Sequence, residues 1–588
     1  MDHVLEQLTE GLAHLRCADA PCTETTTQDQ TPLVHELHRL LDRGGGEVLL
    51  ALVAGADAKV HDTIVSVEVP WEMHDVCLEH LANAARALDA CATRQYATPH
   101  RHSVVLIRAA PRAVEDHIEV RVAIVGNVDA GKSTMLGVLT KGALDDGRGK
   151  ARVDLFRHKH ELDTGRTSSV GTEVMGFRAD GRAVVEMRDE ENVRKVPWEV
   201  VCREAAKVVS FIDLAGHERY LKTTVFGMTS GLPDYVVLMV GANAGLIGMS
   251  KEHLGIALAL GIPVCVVVTK VDMCPAHVLE ATMKQIGKVL QSPGCRKTPV
   301  VMDSMQAVTD AAAQLPVERI CPVFQVSNVT GTNLGLLRAF LNLLPSSQAR
   351  YAPLQYAPAE MPITDVFSVP FVGTVVSGVL TAGVVNVGDT LLLGPDSLGQ
   401  FFPTAVRSIQ RKRVNVECAS AGQSISFALK RVRRNQVRKG MMLLARTSVP
   451  PAVHQEFEAE VLCLYHSTTL SLGSCIVLHA ASIRQTVKIV AIAKADARTT
   501  HYVDETKPVV RMGDRARVRL RFMAAAEYIT PGTKLIAREG KTRLVGVVRG
   551  VSEGMILRPT LPHDRLGAGG AGPATFAVPP ATRLSGTA

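Results

Sequence analysis

The stretch "VRVAIVGNVDAGKSTMLGVLT", residues 120–140, passes from an apolar strand through a glycine-bearing turn into a helical period. Within it, Gly126 to Ser133 satisfy G-x-x-x-x-G-K-[ST], in the strand-to-helix setting that pattern requires. Glycines let backbone N–H groups turn toward a polyphosphate, and the helix N-terminus adds its positive end. Gly126, Asn127, Val128, Asp129, Ala130, Gly131 and Thr134 are therefore expected to line the phosphates, Lys132 to supply a point charge, and Ser133 to offer its hydroxyl to Mg²⁺. Strand and helix patterns alternate from 119 to about 346, which predicts a mostly parallel sheet with helices on both faces. "KVVSFIDL" (207–214) reads as a strand and "LGLLRAFLNLLP" (334–345) as an amphipathic helix stopped by Pro345.

Further chemistry sits at the ends of the next strands. In "FIDLAGHERY" (211–220), Asp213 is placed to hold Mg²⁺ and Gly216 to give its N–H to a terminal phosphate. His217, beside that glycine, is placed to orient an attacking water. The polar loop "FRHKHELDTGRTSSVG" (156–171) offers Thr167 as the hydroxyl that closes on Mg²⁺ and the terminal phosphate and lets go after hydrolysis. Its "HKH" triplet has no companion ligands at zinc-site spacing. Lys132, Thr167 and His217 form the expected catalytic set, and Ser133, Thr167 and Asp213 the expected metal set. An arginine finger is not evident.

The base is addressed by "VVVTKVDM" (266–273) and "SNVTG" (327–331). An ionised Asp272 accepts guanine's N1–H and 2-amino group in two charge-assisted hydrogen bonds, whereas adenine would turn an N1 lone pair toward it. Lys270 is expected to lie along the base face, and Ser327, Asn328 and Val329 to reach O6 through backbone N–H. Thr269 stands where asparagine is usual in such a loop. The usual asparagine bonds the other edge of the base and braces the phosphate loop, and the shorter threonine hydroxyl is expected to do only part of this, preserving guanine selectivity with somewhat reduced affinity.

At 588 residues with 46% hydrophobic and 21% charged content, the chain reads as several globular domains. Its longest uncharged apolar runs, 235–250 and 254–269, are broken by Gly or Pro and fall short of the roughly 18 to 20 residues a membrane span needs. The first twenty residues carry acids and a helical period rather than a secretory signal, and twelve scattered cysteines without a C-x-x-C pair fit a reducing cytoplasm. Residues 401–440 hold ten Lys/Arg against one acid, Glu417, a local charge of +9 beside a whole-chain charge of +7, which suggests a polyanionic partner. Before 118, strands "TIVSVEV" and "SVVLIRA" flank helical "VCLEHLANAARALDA", and after the linker the chain turns β-rich with glycines every 8 to 12 residues. The expected division is an α+β domain of unreadable role at 1–118, a GTPase domain at 119–346, a linker at 347–362, β-barrels at 363–449 and 453–552, and a disordered tail at 553–588.

On these motifs the chain resembles the translational GTPases of the elongation factor Tu type. "GNVDAGKST" is similar to their G-H-V-D-H-G-K-[ST]-T loop, "DLAGHERY" to their D-x-P-G-H-E/A-x-[YF] segment, and "SVPFVGTVVSGVLTAGVVNVGDTLLLGP" (368–395) to the opening of their second domain. "RHKHELDTGRTSSVG", "KTTVFGMTSGLPDY", "VTKVDMCPA", "SPGCRK" and "ALKRVRRNQVRKGM" resemble the eukaryotic GTP-binding protein 1 and 2 family more closely. The resemblance implies a cytoplasmic, monomeric GTPase cycling between GTP and GDP with Mg²⁺, acting with tRNA and the ribosome. It also implies a monovalent cation near Asp129 and an apolar gate beside His217 that Val128 keeps on one side and Arg166 breaks on the other. The different reading is a GTP-gated adaptor in mRNA decay with little hydrolysis of its own.

Overall fold

Alternation of side chains along three strands decides how the middle of the chain stacks. In the computed structural model, which describes residues 31–54, 64–99, 102–156, 159, 161, 167–188, 195–465, 470–495, 502–503, 509–539, 542–552 and 555–556, those strands are Ile118–Gly126, Tyr235–Gly241 and Val264–Thr269. Every residue of all three is buried. Val122, Ile124, Val237, Met239, Cys265 and Val267 face one apolar core, while Ala123, Val125, Val236, Leu238, Val266 and Val268 face another. A strand with two dry faces must be covered by helices on both sides, which is the layered arrangement expected from the alternating pattern.

In chain order the described elements begin with α1 (Thr31–Gly44), β1 (Glu47–Val53), β2 (Val65–Glu68), α2 (His74–Ala87), β3 (Ala90–Thr98) and β4 (His102–Ala109). They form a four-stranded sheet ordered β2-β1-β4-β3 with a helical layer packed on its Leu50, Leu52, Val105 and Ile107 face. Next come β5 (Ile118–Gly126), α3 (Lys132–Lys141), β6 (Gly171–Phe177), α4 (Trp198–Glu204), β7 (Lys207–Asp213), α5 (Leu221–Ser230), β8 (Tyr235–Gly241), α6 (Gly248–Leu260) and β9 (Val264–Thr269). The unit ends with α7 (Ala276–Leu290), β10 (Thr298–Val301), α8 (Met305–Gln314), β11 (Ile320–Gln325) and α9 (Leu334–Leu343). Its seven-stranded sheet runs β10-β11-β9-β8-β5-β7-β6, parallel except for β6 at the edge.

Two β-barrels follow. The first is built on an eight-stranded sheet from Glu360–Pro362 to Met442–Ala445, and the second closes because Cys475–Ala480 pairs with both Ile483–Ala495 and Lys534–Glu539. Two boundaries differ from expectation. Strand Glu360–Pro362 lies within the stretch read as linker, whose earlier part forms the short helix Gln348–Tyr351 rather than loose chain. Met555–Ile556 pairs with Ala452–Val453, so sheet structure continues past 552. The helical pattern of the first twenty residues, the "HKH" triplet as a whole, Arg166 and most of the tail lie outside the described residues. No helix among the described residues is long and apolar enough to cross a membrane.

The units are joined by buried charge. Arg108 and Lys207, both fully buried, converge on Glu47, with Arg108 Nη2 at 2.8 Å from Glu47 and Nη1 at 2.8 Å from Asn342 Oδ1, which fastens the first sheet to the second. Arg538 of the second barrel meets Glu252 of α6 at 3.1 Å.

Candidate functional site

β5 ends in a turn that its glycines permit. Gly126 and Gly131 adopt φ of 148° and 77°, and a Cβ on Gly126 would sit 2.4 Å from the Met239 carbonyl oxygen. Gly126 N–H donates to Nδ1 of His253 at 3.2 Å. Burial, with Lys132 and Arg538 nearby, lowers that histidine's pKa to about 3, so it stays a neutral acceptor beneath the loop. Lys132 begins α3 and donates from Nζ to the Asn127 carbonyl at 2.7 Å. Burial lowers its pKa to about 8 against the opposing pull of Asp213 and Asp129. Burial likewise raises Asp213 to about 6 although Lys132 and a Ser133 hydrogen bond oppose it. Two titratable groups displaced this far by burial in one cleft mark a candidate functional site.

The expected metal set comes together. Ser133 Oγ donates to Asp213 Oδ2 at 2.8 Å and lies 2.9 Å from Thr167 Oγ1. Among the described residues, Asp213 Oδ1 is buried without a partner. Three hard oxygens around an unsatisfied carboxylate oxygen fit Mg²⁺, which prefers oxygen ligands in compact geometry. The residues after Thr167 are held by Glu161, whose Oε1 accepts Ser168 N–H at 2.7 Å, Ser168 Oγ–H at 2.8 Å, Ser169 N–H at 3.1 Å and Ser169 Oγ–H at 3.2 Å. Glu161 was not singled out in the sequence, where it is one acid in a polar loop.

Gly216 presses against the phosphate loop: a Cβ there would meet Lys132 Nζ at 2.4 Å and Gly126 O at 2.6 Å. His217 lines the same cleft with Val128, Asp129 and Thr134. Its Nδ1 accepts Arg219 N–H at 3.1 Å as a helix cap. With Nδ1 accepting, Nε2 is the nitrogen left to present a donor. Arg152, not evident from the sequence as a residue of this site, also lines the cleft.

At the base end, Lys270 takes a left-handed φ of 63° and Asp272 is exposed beyond it. Ser327 Oγ accepts N–H from Val329 at 3.2 Å and Thr330 at 3.0 Å, shaping the second loop. Asn328 lies beside the phosphate loop, its Nδ2 3.7 Å from where a Cβ of Gly131 would be. Thr269 is fully buried and donates to the Ala130 carbonyl at 3.0 Å, with Val240 O at 3.4 Å. The brace to the phosphate loop is thus made by the hydroxyl, whose single proton is then spent. Thr269→Val keeps the shape and removes that donor. An unsatisfied buried carbonyl costs about 1–3 kcal/mol, so GDP is expected to bind roughly 5- to 150-fold more weakly. Titration with a fluorescent GDP analogue checks this, and unchanged affinity would remove the brace from the account.

The basic stretch 401–440 does not act as one surface. Arg411 is fully buried, donating to the carbonyls of Val114 at 3.1 Å, Glu115 at 2.6 Å and His117 at 3.0 Å. Lys412 meets Glu119 at 2.8 Å, and Arg413 stacks 4.5 Å over the Trp198 ring. All three join barrel to sheet, and Arg411 and Lys412 are buried away from any polyanion, a use that charge counting cannot foresee. Arg407, Lys430, Arg431 and Arg433 remain exposed around a cavity of about 510 Å³.

Comparison with known proteins agrees with this geometry. Residues 117–346 match the elongation factor Tu GTP binding domain, and residues 373–444 match elongation factor Tu domain 2. The chain is 46% identical to GTP-binding protein 1 of Xenopus laevis over 517 residues, covering 88% of this chain and 75% of that one. It is 41% identical to GTP-binding protein 2 of Mus musculus over 456 residues, covering 77% and 72%. Among solved structures, translation elongation factor SelB from Methanococcus maripaludis in complex with the GTP analogue GppNHp superposes with a TM-score of 0.52 at 18% identity, covering 74% of this chain and 80% of that one.

Proposed function

The chain belongs to the elongation factor Tu-type GTPases, in the branch of GTP-binding proteins 1 and 2, and on that premise we propose that its GTP hydrolysis serves tRNA and the ribosome in translation or its quality control. The observation that carries this reading is the convergence of Thr167 and Asp213 oxygens within 2.9 Å of Ser133 Oγ at the mouth of the phosphate loop. Gly126 to Thr134 and Gly216 embrace the phosphates, while Thr269, Lys270, Asp272, Ser327, Asn328 and Val329 frame the guanine. Ser133, Thr167 and Asp213 would hold Mg²⁺, which when bound supplies positive charge to the phosphate oxygens. Asp129, in a left-handed turn with φ of 61°, is the residue that would face a monovalent cation.

Hydrolysis proceeds by in-line attack of water on the terminal phosphate. Lys132 stabilises the charge that develops, and His217 orients the water by donating from Nε2 rather than by taking its proton. Thr167, tied through Ser168 and Ser169 to Glu161, reports the phosphate state to the rest of the chain. Arg407, Lys430, Arg431 and Arg433 contribute phosphate contacts to RNA, an attraction that weakens with salt. The protein works as a cytoplasmic monomer, and its modules divide near 118, 346 and 450.

Single-turnover GTPase measurements with and without ribosomes test this reading. Ribosomes are expected to accelerate hydrolysis strongly, and His217→Ala to abolish the acceleration, a loss of at least about 10²-fold, while sparing GTP binding. Absence of stimulation would favour a GTP-gated adaptor in mRNA decay, and stimulation retained in His217→Ala would remove the catalytic role of that residue.

A further inference from the structure

Helix α3 contains Gly137, an expensive residue for a helix interior, about 1 kcal/mol worse than alanine. The space it leaves is used by the next segment. A Cβ at Gly137 would lie 2.0 Å from the Ala151 carbonyl oxygen, so the 3₁₀ turn Lys150–Leu155 rests directly on the backbone of the phosphate-loop helix. Asp145, buried, organises the approach: its carboxylate accepts N–H from Gly147 at 3.1 Å, Gly149 at 3.1 Å and Ala151 at 3.0 Å. Its own N–H donates to Asn328 O at 2.9 Å, which ties this segment to the guanine loop. Gly149 then leaves room for a guanidinium, since a Cβ there would be 2.7 Å from Arg152 Nε and 3.0 Å from its Cζ.

The result is an arginine half-buried in the wall of the phosphate cleft with Lys132, Ser133, Thr167, Gly216 and His217. Among the described residues it forms no ion pair, although Asp129 lines the same cleft. A guanidinium on a preorganised segment, in a phosphate cleft and not tied to an acid, is arranged to meet phosphate oxygens. We propose that Arg152 is a catalytic residue of this GTPase, supplied in cis, that neutralises charge on the transferring phosphate group. The inference rests on the GTPase reading of the cleft. In the step it assists, an oxygen–phosphorus bond forms from water to the γ-phosphorus and the bond to the bridging oxygen breaks. The electron pair leaves with GDP, and the water's proton ends on inorganic phosphate. Arg152 contributes charge to the γ- and bridging oxygens and moves no proton.

The test separates binding from turnover in the full-length protein. Wild type, Arg152→Ala and Arg152→Lys are compared for GDP and GTP affinity and for single-turnover hydrolysis without any partner. Arg152→Ala is expected to lose about 10³-fold in hydrolysis rate, the lower end of what an arginine supplies to phosphoryl transfer, with GDP affinity within about threefold of wild type, the range left when no ground-state hydrogen bond is lost. Lysine, which keeps the charge but not the planar fork, should recover only part of the rate. Hydrolysis by Arg152→Ala at the wild-type rate would overturn the proposal. So would equal weakening of GDP and GTP with turnover unchanged, which would make Arg152 a ground-state clamp. Failure of the wild type to bind GTP would instead sink the nucleotide reading itself, and the two failures are distinguishable.

Discussion

Asp272→Asn is expected to lower GTP affinity by about 10²- to 10⁴-fold and to create affinity for xanthosine triphosphate. The range follows from two charge-assisted hydrogen bonds, each worth about 1.5–3 kcal/mol, being replaced by one neutral bond and one donor–donor clash. Guanine presents N1–H and an exocyclic amine to this position. A carboxylate accepts both, whereas a carboxamide accepts one and sets its own N–H against the amine. Xanthine carries a carbonyl in place of that amine, so the same carboxamide now donates to O2 and accepts from N1–H. The effect should be confined to the base, because Asp272 is exposed at the tip of its loop while the loop's buried anchor is Thr269. Competition binding with GTP, ATP and xanthosine triphosphate reads the change directly. ATP bound by the wild type as tightly as GTP, or a variant that keeps its GTP affinity, would refute the assignment of specificity to this carboxylate.

Much of the nucleotide site was legible because its chemistry is local in sequence. Glycines at 126 and 131, the lysine between turn and helix, and the acid closing β7 are each dictated by a short backbone geometry that recurs wherever it occurs. Thr269 was legible as a residue that does part of asparagine's work, but which part was not: the close approach of β9 to the loop lets its hydroxyl brace Ala130 at 3.0 Å. Arg152 was illegible for a different reason. It belongs to a 3₁₀ turn whose position depends on Gly137, fifteen residues earlier, losing a side chain, and no periodicity records that contact. Glu161 is similar: four hydrogen bonds converge on one oxygen of a carboxylate that composition would leave in solvent. The basic run was legible only as total charge: local charge density carries no information about which cations, here Arg411 and Lys412, another domain will bury.

Those buried cations set up the second large effect. Glu119, on β5, receives Ser210 Oγ–H at 2.8 Å, Ser424 N–H at 3.2 Å and Lys412 at 2.8 Å, with Arg411 at 3.6 Å, so the strand that leads into the phosphate loop is also the anchor of the first barrel. Burial alone would raise its pKa, but Lys412, Arg411 and Arg121 outweigh that and hold it well below the usual carboxylate range. A carboxylate depressed in the folded state stabilises the protein above its unfolded pKa, and the contribution fades as pH falls toward the folded value. Stability of this interface should therefore be flat near neutrality and decline in acid below about pH 4, where an unfolded glutamate protonates. Glu119→Gln removes the charge at all pH values and leaves Arg411 and Lys412 buried without compensation, a loss expected at about 3–5 kcal/mol. Trp198 reports it, because Arg413 lies 4.5 Å over its ring at the same junction; with Trp71 replaced by Phe, urea titration of its fluorescence should show the junction opening early in Glu119→Gln. Replacing Glu119, Arg411 and Lys412 together by Leu, Met and Met removes every charge at once and should restore much of the loss, since a buried ion cluster exchanged for apolar side chains of similar volume is often neutral. An early transition persisting in the triple variant would mean that packing, not charge, holds barrel to sheet; no early transition in Glu119→Gln would mean that the second barrel, through Arg538 and Glu252, suffices to hold the modules together.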